Sequence, residues 1–551
     1  MKQTDMMLSK LRLHLTPVLV ASYPVLYLFV SNRSQTTFAA TLPAFGLMWV
    51  LAIGCQLWGG WIFKNWPKAA IFSSVLTALF SLHGHLHAVL HKLVLKKDFQ
   101  LEIPGIGKRW FFEAGLHLIL TALEIGIFVK LTRWLKSATR EAAALNQGLS
   151  TFAIILCALP LAQLGLMPSK DPSRYDGQVL DPAVWKNAAP LQQDELVRKP
   201  DIYYIILDGY AREDTLKEFY GYDNSVFLDG LRARGFEVAA NSHSNFYFTF
   251  MSLSSSLNME YINRIAEIEG PKSKDRSKLY HLVRENRVAK FLRQKGYEFV
   301  HFQSTWGATE INPYADRLVA CDAGVMTEEF NRVFIEATWL RTLSSSLGAD
   351  LATCWKAHFE SLAQMARERG PHDRPRFIFA HFMLPHHPYL FDKEGNILRE
   401  AHVFNQFEFQ KNLWAKKGAY VSQLEFVSKQ MTSIVDRLQK ESTVPPIIAL
   451  ASDHGSHIDT DDEEKSHLLR VRNLVTLSLP GKKKPVLYDS ITPVNLFRTV
   501  LNEEFDTQLP LLPDRSYFSS HGQPYYFKPI ETATDASRQQ AKPDKIAPIR
   551  Q

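Results

Sequence analysis

Two acidic residues are candidates for chemistry because each comes at the end of an apolar segment that resembles a β-strand. Asp208-Gly209 ends DIYYIILDG, and Asp453-His454-Gly455 follows PIIALAS. An Asp-Gly pair alone usually marks a turn. However, a carboxylate and an adjacent imidazole can reach one divalent ion if the backbone turns sharply, and Gly455 would permit that turn. Two strands that each end in an acid therefore predict a shared metal site.

Thr249 is a candidate nucleophile and metal ligand. It lies where an aromatic stretch gives way to a helix-compatible run, in FYFTFMSLSSSLNM. Free backbone N–H groups and the dipole at a helix N-terminus favour a phosphate and would stabilise a threonine alkoxide. A hydroxyl becomes a good nucleophile only when a base or a metal lowers its pKa. The alternative is that Thr249 is only the N-cap of the helix.

A group of histidines follows the next predicted strand, RFIFAHFML. His381, His386 and His387 lie in the segment HFMLPHHP, where two prolines stiffen the loop. Histidines at a strand end can ligate a metal, bind phosphate or protonate a leaving oxygen. Three of them together favour a functional role over an incidental one.

The second half of the chain must position these residues, and its pattern is that of an α/β fold. Apolar segments alternate with amphipathic ones, which predicts a mostly parallel sheet between helices. In such sheets chemistry collects beyond the carboxyl ends of the strands. The predicted strands are 201–208, 235–240, 297–302, 376–384, 446–452 and 471–479, and the predicted helical stretches are 277–295, 327–343, 349–369 and 406–441.

The first ~170 residues are dominated by apolar segments long enough to cross a bilayer. We therefore predict five transmembrane helices, the first retained because it lacks a clear small-residue cleavage site. The five segments are 15–31, 39–63, 69–90, 111–132 and 150–167. The resulting domain prediction is a transmembrane domain over 1–168, a linker over 169–200, a catalytic domain over 201–528 and a disordered tail over 529–551.

The positions of basic residues favour a cytoplasmic N-terminus. Lysines and arginines precede the first span and lie between spans two and three and between spans four and five, whereas the loop between spans three and four argues the other way. Five crossings would then place the second half outside the cytoplasm. The net charge of +7, from 63 basic and 56 acidic residues, is spread along the chain and gives little support for a nucleic-acid partner.

Two questions stay open at this point. Ionisable residues inside spans three and four would form either a polar seam near a lipid-headgroup entrance or hydrogen bonds between helices, and we favour the second. They are His83, His85, His87, Glu113, His117 and Glu124. Cys321 and Cys354 would form a disulfide in an oxidising compartment or remain free thiols.

The motifs together resemble the alkaline phosphatase/sulfatase superfamily over about residues 200–520. In chain order they are Asp208-Gly209, Thr249-x-x-Ser252, His386-x-Pro388 and Ser452-Asp453-His454-Gly455. Five spans followed by such a domain resemble lipoteichoic acid synthases and lipid A phosphoethanolamine transferases. In those enzymes a threonine takes a phosphate-linked headgroup from a phospholipid and passes it to an acceptor hydroxyl.

The resemblance implies a role for each matching residue. Asp208, Asp453 and His454 would ligate the metal, Thr249 would be both nucleophile and ligand, and His386 would contact the phosphate. It also implies Zn²⁺ or Mn²⁺, as one ion or two, since mixed oxygen and nitrogen ligation alone does not choose between metals. Further substrate-contact candidates are His381, Arg470 and Asn473, and either His457 or His467 would be the later histidine of the site.

Two departures from the family pattern bear on function. Transferases usually carry glutamate where this chain has Asp208, and aspartate there resembles phosphodiesterase and phosphatase branches, which bind two metals; His381 with His386 would help to hold a second ion. Sulfatases of this fold need a C/S-x-P-x-R motif to make formylglycine. Because no such motif lies near Thr249, sulfatase activity is not expected.

The expected function is a metal-dependent transferase in the inner or plasma membrane, with its catalytic domain outside the cytoplasm. It would move a glycerophosphate- or phosphoethanolamine-type headgroup from a membrane phospholipid to a cell-surface glycan or glycolipid. A phosphodiesterase or phosphatase of the same fold is the first alternative. A non-catalytic membrane scaffold is the second.

Overall fold

The computed structural model describes residues 2–33, 36–95, 108–138, 141–166, 190–321, 329–398, 416–458, 460–482 and 484–532. The chain forms two units. One contains Met1–Ser169 and Gly324–Gly348, and the other contains most of the remaining residues. Most of the predicted linker, most of the predicted tail and most of the basic loop between spans three and four lie outside the described residues, but Pro529 and Ile530, predicted as tail, belong to the strand Gln523–Ile530.

The first unit is built on five apolar helices. They are α1 (Lys2–Ser31), α2 (Phe38–Phe63), α3 (Trp66–Leu95), α4 (Lys108–Ser137) and α5 (Glu141–Leu166). Among the described residues, four stretches are long and apolar enough to cross a membrane, namely 38–63, 66–90, 115–137 and 141–165, and Leu15–Ser31 is a shorter apolar stretch. Many of their large apolar side chains are exposed, as expected for surfaces that face lipid. The N-terminal helices are confirmed, four of them with the length and hydropathy of a membrane span and the first with a shorter apolar stretch.

A segment from much later in the chain belongs to this first unit. The helix Glu329–Ala337 and the 3₁₀ helix Trp339–Leu343 correspond to the helix predicted over 327–343. Phe330 and Phe334 are buried in one hydrophobic cluster with residues of α1 and α2. At Gly84 in α3, an added Cβ would lie 2.1 Å from the backbone oxygen of Glu336. Because that contact is with backbone, only glycine allows this close approach.

Polar side chains connect α3 to α4 inside this unit. His83 Nδ1 lies 2.9 Å from Glu124 Oε1, and His83 Nε2 lies 3.0 Å from His117 Nδ1. The His87 ring stacks on the His117 ring with centroids 4.1 Å apart. Both ring nitrogens of His83 therefore have protein partners. This favours hydrogen bonding between helices and not an open polar seam.

The second unit contains a seven-stranded sheet with the order β2-β7-β6-β1-β5-β3-β4. The pairs β1–β5, β1–β6, β3–β5 and β3–β4 are parallel, whereas β7 runs antiparallel to β6 and β2. The strands are β1 (Ile202–Leu207), β2 (Glu237–Val238), β3 (Glu298–Phe302), β4 (Arg317–Val319), β5 (Arg376–Phe382), β6 (Ile447–Ala451) and β7 (Val475–Ser478). The mostly parallel sheet and its six predicted strands are confirmed, and β4 is an addition.

A separate antiparallel hairpin, β8 (Ser516–Ser520) with β9 (Gln523–Ile530), lies outside the predicted elements. The helices that flank the strands are Gln193–Leu196, Glu213–Tyr220, Ser225–Ala233, Thr249–Asn258, Ile265–Glu269, Ser277–Arg284, Arg287–Gln294, Gly307–Glu310, Ser344–Glu368, Lys417–Glu441, Glu463–Val471 and Pro493–Phe505. The single helix predicted over 277–295 is two helices, and the stretch predicted from 406 is helical from Lys417, with 406–415 outside the described residues.

The sheet is buried on both faces, which explains its apolar strands. All six residues of β1 are buried, and alternate residues enter two different hydrophobic clusters. Tyr204 lies in one cluster and Tyr203 in the other, because successive side chains of a strand point to opposite faces. A disulfide joins Cys321 to Cys354, with Cα atoms 5.5 Å apart, which resolves the question left open by the sequence.

Candidate active site

Asp208 lies at the carboxyl end of β1, as the sequence predicts. Its backbone N–H donates to Phe382 O at 2.9 Å, and its carbonyl accepts from His386 N at 3.1 Å, so β1 and the histidine loop are tied together. The side chain is buried, yet no hydrogen bond reaches either of its carboxylate oxygens within the described residues. Gly209 follows with φ of 71°, which turns the chain away from the sheet.

Asp453 lies at the end of β6, one strand away from Asp208. Its Oδ1 accepts a hydrogen bond from Gly209 N at 3.2 Å, whereas its Oδ2 meets no donor in the part of the chain that the structure describes. The role of Gly455 differs from the one the sequence suggested. An added Cβ there would lie 2.2 Å from Arg472 O, so glycine is required by a close backbone approach, and its φ is not in the left-handed region.

His454 is oriented by bonds at both ring nitrogens. Its Nδ1 donates to Gly455 O at 3.0 Å, which leaves Nε2 as an acceptor. Nε2 lies 3.0 Å from Thr249 Oγ1, 2.8 Å from Arg470 Nη2 and 3.2 Å from Asp453 Oδ2. The structure therefore brings a nitrogen lone pair, a hydroxyl and a carboxylate together.

Thr249 is the first residue of the helix Thr249–Asn258, and Phe248 is its N-cap. The alternative of Thr249 as a simple N-cap is therefore wrong. Ser252, one turn later, donates to Asp453 O at 2.6 Å and joins this helix to the loop that carries Asp453 and His454. The Thr249 hydroxyl thus lies at a helix N-terminus, where developing negative charge is favoured.

The two buried carboxylates influence each other strongly. Burial, followed by the negative charge of Asp208, raises the pKa of Asp453 to about 7. Burial also opposes ionisation of Asp208, but the neighbouring His386, His381 and His454 outweigh it and hold the pKa of Asp208 below its usual value. Two acids this close need a cation or a shared proton.

His381 belongs to the same group. Its Nδ1 lies 2.8 Å from Thr309 Oγ1, and its Nε2 lies 3.4 Å from Asp208 Oδ2. Ligand atoms of Asp208, His381 and Asp453 all lie within 4.8 Å of one another. His386 is close as well, since its ring centroid lies 6.5 Å from that of His454, and its Nδ1 donates to His387 O at 2.7 Å.

The remaining predicted contact residues form a rim around Tyr247. Arg470 lies over the Tyr247 ring at 5.7 Å and also donates to Gly455 O. His457 Nδ1 lies 3.2 Å from Tyr247 Oη, and His467 stacks on Phe518 with centroids 3.7 Å apart. Asn473 instead braces the backbone, because its amide donates to Ser452 O at 2.6 Å and its oxygen accepts from Ser242.

The donor set fits a divalent cation. Carboxylate oxygens without partners, two imidazoles and a hydroxyl converge in a buried place, and an unpartnered buried carboxylate is costly unless an ion satisfies it. Mixed oxygen and nitrogen donors suit Zn²⁺ or Mn²⁺. Sequence reasoning missed Thr309 and Tyr247, because neither stands in a motif or at the end of a predicted strand.

Comparison with known proteins identifies a family that the chain matches. A protein-family model described as Sulfatase matches residues 216–502, which is just over half of the chain. A search of curated proteins finds no match.

Three similar solved structures have low identity. The C-terminal periplasmic domain of EptC from Escherichia coli, in complex with Zn, is 12% identical with a TM-score of 0.38 over 59% of this chain and 90% of that one. The integral membrane lipooligosaccharide phosphoethanolamine transferase A from Neisseria meningitidis is 13% identical with a TM-score of 0.36 over 89% and 95%. The putative sulfatase yidJ from Bacteroides fragilis is 15% identical with a TM-score of 0.36 over 61% and 83%.

The match to the Sulfatase model covers three of the four motifs of this chain. The match spans the helix of Thr249, the histidine loop and the Asp453-His454 pair. It confirms the superfamily that those motifs predicted. The chain therefore belongs to the sulfatase family of enzymes.

Proposed function

We propose that this protein is a metal-dependent phosphotransferase that moves a phosphate-linked headgroup from a membrane phospholipid, through a phosphothreonine at Thr249, to a hydroxyl of a cell-surface glycan or glycolipid. The observation that carries the proposal is the placement of the Thr249 hydroxyl 3.0 Å from His454 Nε2, beside two buried carboxylates. The absence of a C/S-x-P-x-R motif near Thr249 argues against sulfate-ester chemistry despite the family name.

The residues divide into ligands and substrate contacts. Asp208, Asp453, His454 and the Thr249 hydroxyl would hold one Zn²⁺ or Mn²⁺ ion, and a second ion would involve His381 with His386. A bound cation lowers the pKa of a hydroxyl that it touches and offsets negative charge on phosphate oxygens.

The transfer has two steps. Thr249 Oγ attacks phosphorus and loses its proton, the bond from phosphorus to the diacylglycerol oxygen breaks, and that oxygen gains a proton. In the second step an acceptor hydroxyl attacks phosphorus and loses its proton, the bond from phosphorus to Thr249 Oγ1 breaks, and Thr249 Oγ1 regains a proton. The guanidinium of Arg470 would contact the phosphate oxygens, and His386 with either His457 or His467 would contact them and carry the protons.

The surroundings of the domain support this assignment. Helices suited to a membrane give access to a lipid donor. The disulfide between Cys321 and Cys354 is of a kind that persists in oxidising compartments, which supports a catalytic domain outside the cytoplasm.

The test is intact-mass spectrometry of the full chain, purified in detergent and incubated with mixed phospholipids. We expect a mass increase equal to one phosphate-linked headgroup, mapped to Thr249 and absent from Thr249→Ala, which should still bind metal. An adduct on another residue, or full turnover by Thr249→Ala, would overturn the assignment of the nucleophile.

A hydrolase is the second candidate, because Asp208 stands where the transferases it resembles carry glutamate. A phosphodiesterase or phosphatase would use water as the acceptor. A phospholipid labelled in its headgroup separates the two, since transfer leaves the label on a glycan or glycolipid and hydrolysis releases it into solution.

A further inference from the structure

Thr309 contacts the candidate metal site from outside it. It lies in the short helix Gly307–Glu310, after β3, and is fully buried. Its Oγ1 lies 2.8 Å from His381 Nδ1 and 2.7 Å from Ser304 Oγ. The orientation of the His381 ring is therefore linked to two hydroxyl groups.

Counting donors and acceptors selects one arrangement of protons. Ser304 Oγ has a carbonyl acceptor, Trp306 O, at 3.2 Å. When Ser304 Oγ–H donates to Trp306 O, Ser304 Oγ accepts from the Thr309 hydroxyl. Thr309 Oγ1 in turn accepts from His381 Nδ1–H, so each of these three donors has an acceptor. In the reverse order Ser304 donates to Thr309 Oγ1 and Thr309 donates to His381 Nδ1, so the bond to Trp306 O is lost. His381 Nε2–H would then face Asp208 Oδ2 at 3.4 Å, which is longer than the usual hydrogen bond.

In the favoured arrangement the lone pair of His381 Nε2 points toward negative charge. Asp208 Oδ2 is 3.4 Å away, and an oxygen of Asp453 completes a set whose ligand atoms lie within 4.8 Å of one another. A lone pair facing carboxylates is repulsive unless a cation lies among them. A histidine that binds a metal through one ring nitrogen commonly donates the N–H of the other to a neighbouring acceptor. Here that acceptor is Thr309 Oγ1.

The backbone of Thr309 is held in place as well. Thr309 O accepts from His301 Nε2 at 2.8 Å and from Ser304 N at 3.1 Å. Burial lowers the pKa of His301 to about 4, so His301 is neutral near pH 7 and its Nε2–H is a steady donor. Thr309 therefore has little freedom to leave His381.

We propose that Thr309 is a positioning residue that holds His381 in its Nδ1–H tautomer, so that His381 Nε2 ligates the cation held by Asp208 and Asp453. This inference rests on the proposed function for the presence of the cation, and it places His381 on the cation of Asp208 and Asp453 instead of on a second ion or in contact with substrate.

The experiment compares Thr309→Val, which keeps the shape and removes the hydroxyl, with Thr309→Ser, which keeps the hydroxyl. Zn²⁺ affinity of the full chain in detergent is measured by competition with a chelator. Loss of a partner of this kind typically costs about 10- to 100-fold in metal affinity. We expect that loss in Thr309→Val and an affinity within about threefold of the unsubstituted protein in Thr309→Ser. A 10-fold loss would correspond to about 1.4 kcal/mol.

A spectroscopic measurement separates ligation from a general loss of structure. With Co²⁺ bound, the visible absorption of His381→Ala should differ from that of the unsubstituted protein, because a nitrogen ligand is lost, and melting in chelator should show that both Thr309 variants are folded. Unchanged Zn²⁺ affinity in a folded Thr309→Val, or an unchanged Co²⁺ spectrum in His381→Ala, would overturn the inference. Failure of the proposed function would look different, since the affinity pattern would stand and no adduct would form on Thr249.

Discussion

Among the described residues, two groups of histidines and acids differ in how completely their polar atoms are paired. In the first unit, His83 uses both ring nitrogens, one with Glu124 and one with His117. In the second unit, both oxygens of Asp208 have no hydrogen-bond partner among the described residues, and the same holds for Oδ2 of Asp453. Both groups combine histidines with acids, although His117 and Glu124 are half-buried whereas both carboxylates of the candidate site are buried. Whether the polar atoms are satisfied is what distinguishes a structural contact from a candidate site.

The largest expected effect is that of Asp453→Asn. Removal of a direct ligand should lower metal affinity by more than the roughly 10- to 100-fold typical of an outer partner, and turnover should fall by at least about 1,000-fold. In chelator, however, the variant should melt at the same temperature or higher, because a buried negative charge beside Asp208 is gone. Chelator competition and thermal melting measure both quantities.

The matched control is Asp229→Asn, an exposed carboxylate of the same unit, which should change neither quantity. If Asp453→Asn bound metal like the unsubstituted protein, the unpaired acids would not be a metal site. Unpaired polar atoms would then not distinguish a metal site from a structural contact in this protein.

A smaller effect is expected from His83→Ala. This change removes the partner of both Glu124 and His117, and a buried polar group that loses its partner costs about 1–3 kcal/mol of unfolding free energy. Thermal melting in detergent should detect the loss, whereas Zn²⁺ affinity should stay the same. Leu118→Ala, at an exposed position of α4, is the control and should melt close to the unsubstituted protein. Loss of metal affinity in His83→Ala would show that this paired group also serves the site.

The effect expected to be smallest near pH 7 involves His301, whose contribution appears as a dependence of stability on pH below neutrality. Its pKa in the folded protein is about 4, because burial disfavours the charged ring, against about 6.5 when unfolded. The unfolded chain therefore binds more protons between these values, and the stability that neutral His301 contributes is present above pH 6.5 and lost as the pH falls toward 4. His301→Gln keeps an amide donor for Thr309 O and should give a flatter melting profile over that range. Identical profiles for the two proteins would contradict this assignment.

Much of the α/β half was predictable because its signals are local. An apolar run that ends in an acid marks the carboxyl end of a buried strand, and this pattern predicts that Asp208 and Asp453 lie at the carboxyl ends of strands in a parallel sheet. The N-terminal helices were predictable for a similar reason, since length and hydropathy identify them. The position of Thr249 at a helix start followed from the change of pattern around it.

Other features depend on contacts between distant residues, and no local pattern reports them. Thr309 lies 72 residues from His381 and stands in no motif. The helix Glu329–Ala337 looks amphipathic like its neighbours in the chain. Nothing in its sequence indicates that its backbone will pack closely against Gly84. β4 has only three residues and β7 runs antiparallel, which apolar content cannot specify.

The disulfide has a consequence for how this chain would survive cutting. Cys321 and Cys354 enclose the helix Glu329–Ala337 and the 3₁₀ helix Trp339–Leu343 in a covalent ring. A protease that cleaved once within that ring would leave the two fragments joined through sulfur, so the nicked protein would migrate as one band until a reductant was added. The ring thus keeps the polypeptide in one piece at a point where the chain leaves one unit for the other and comes back.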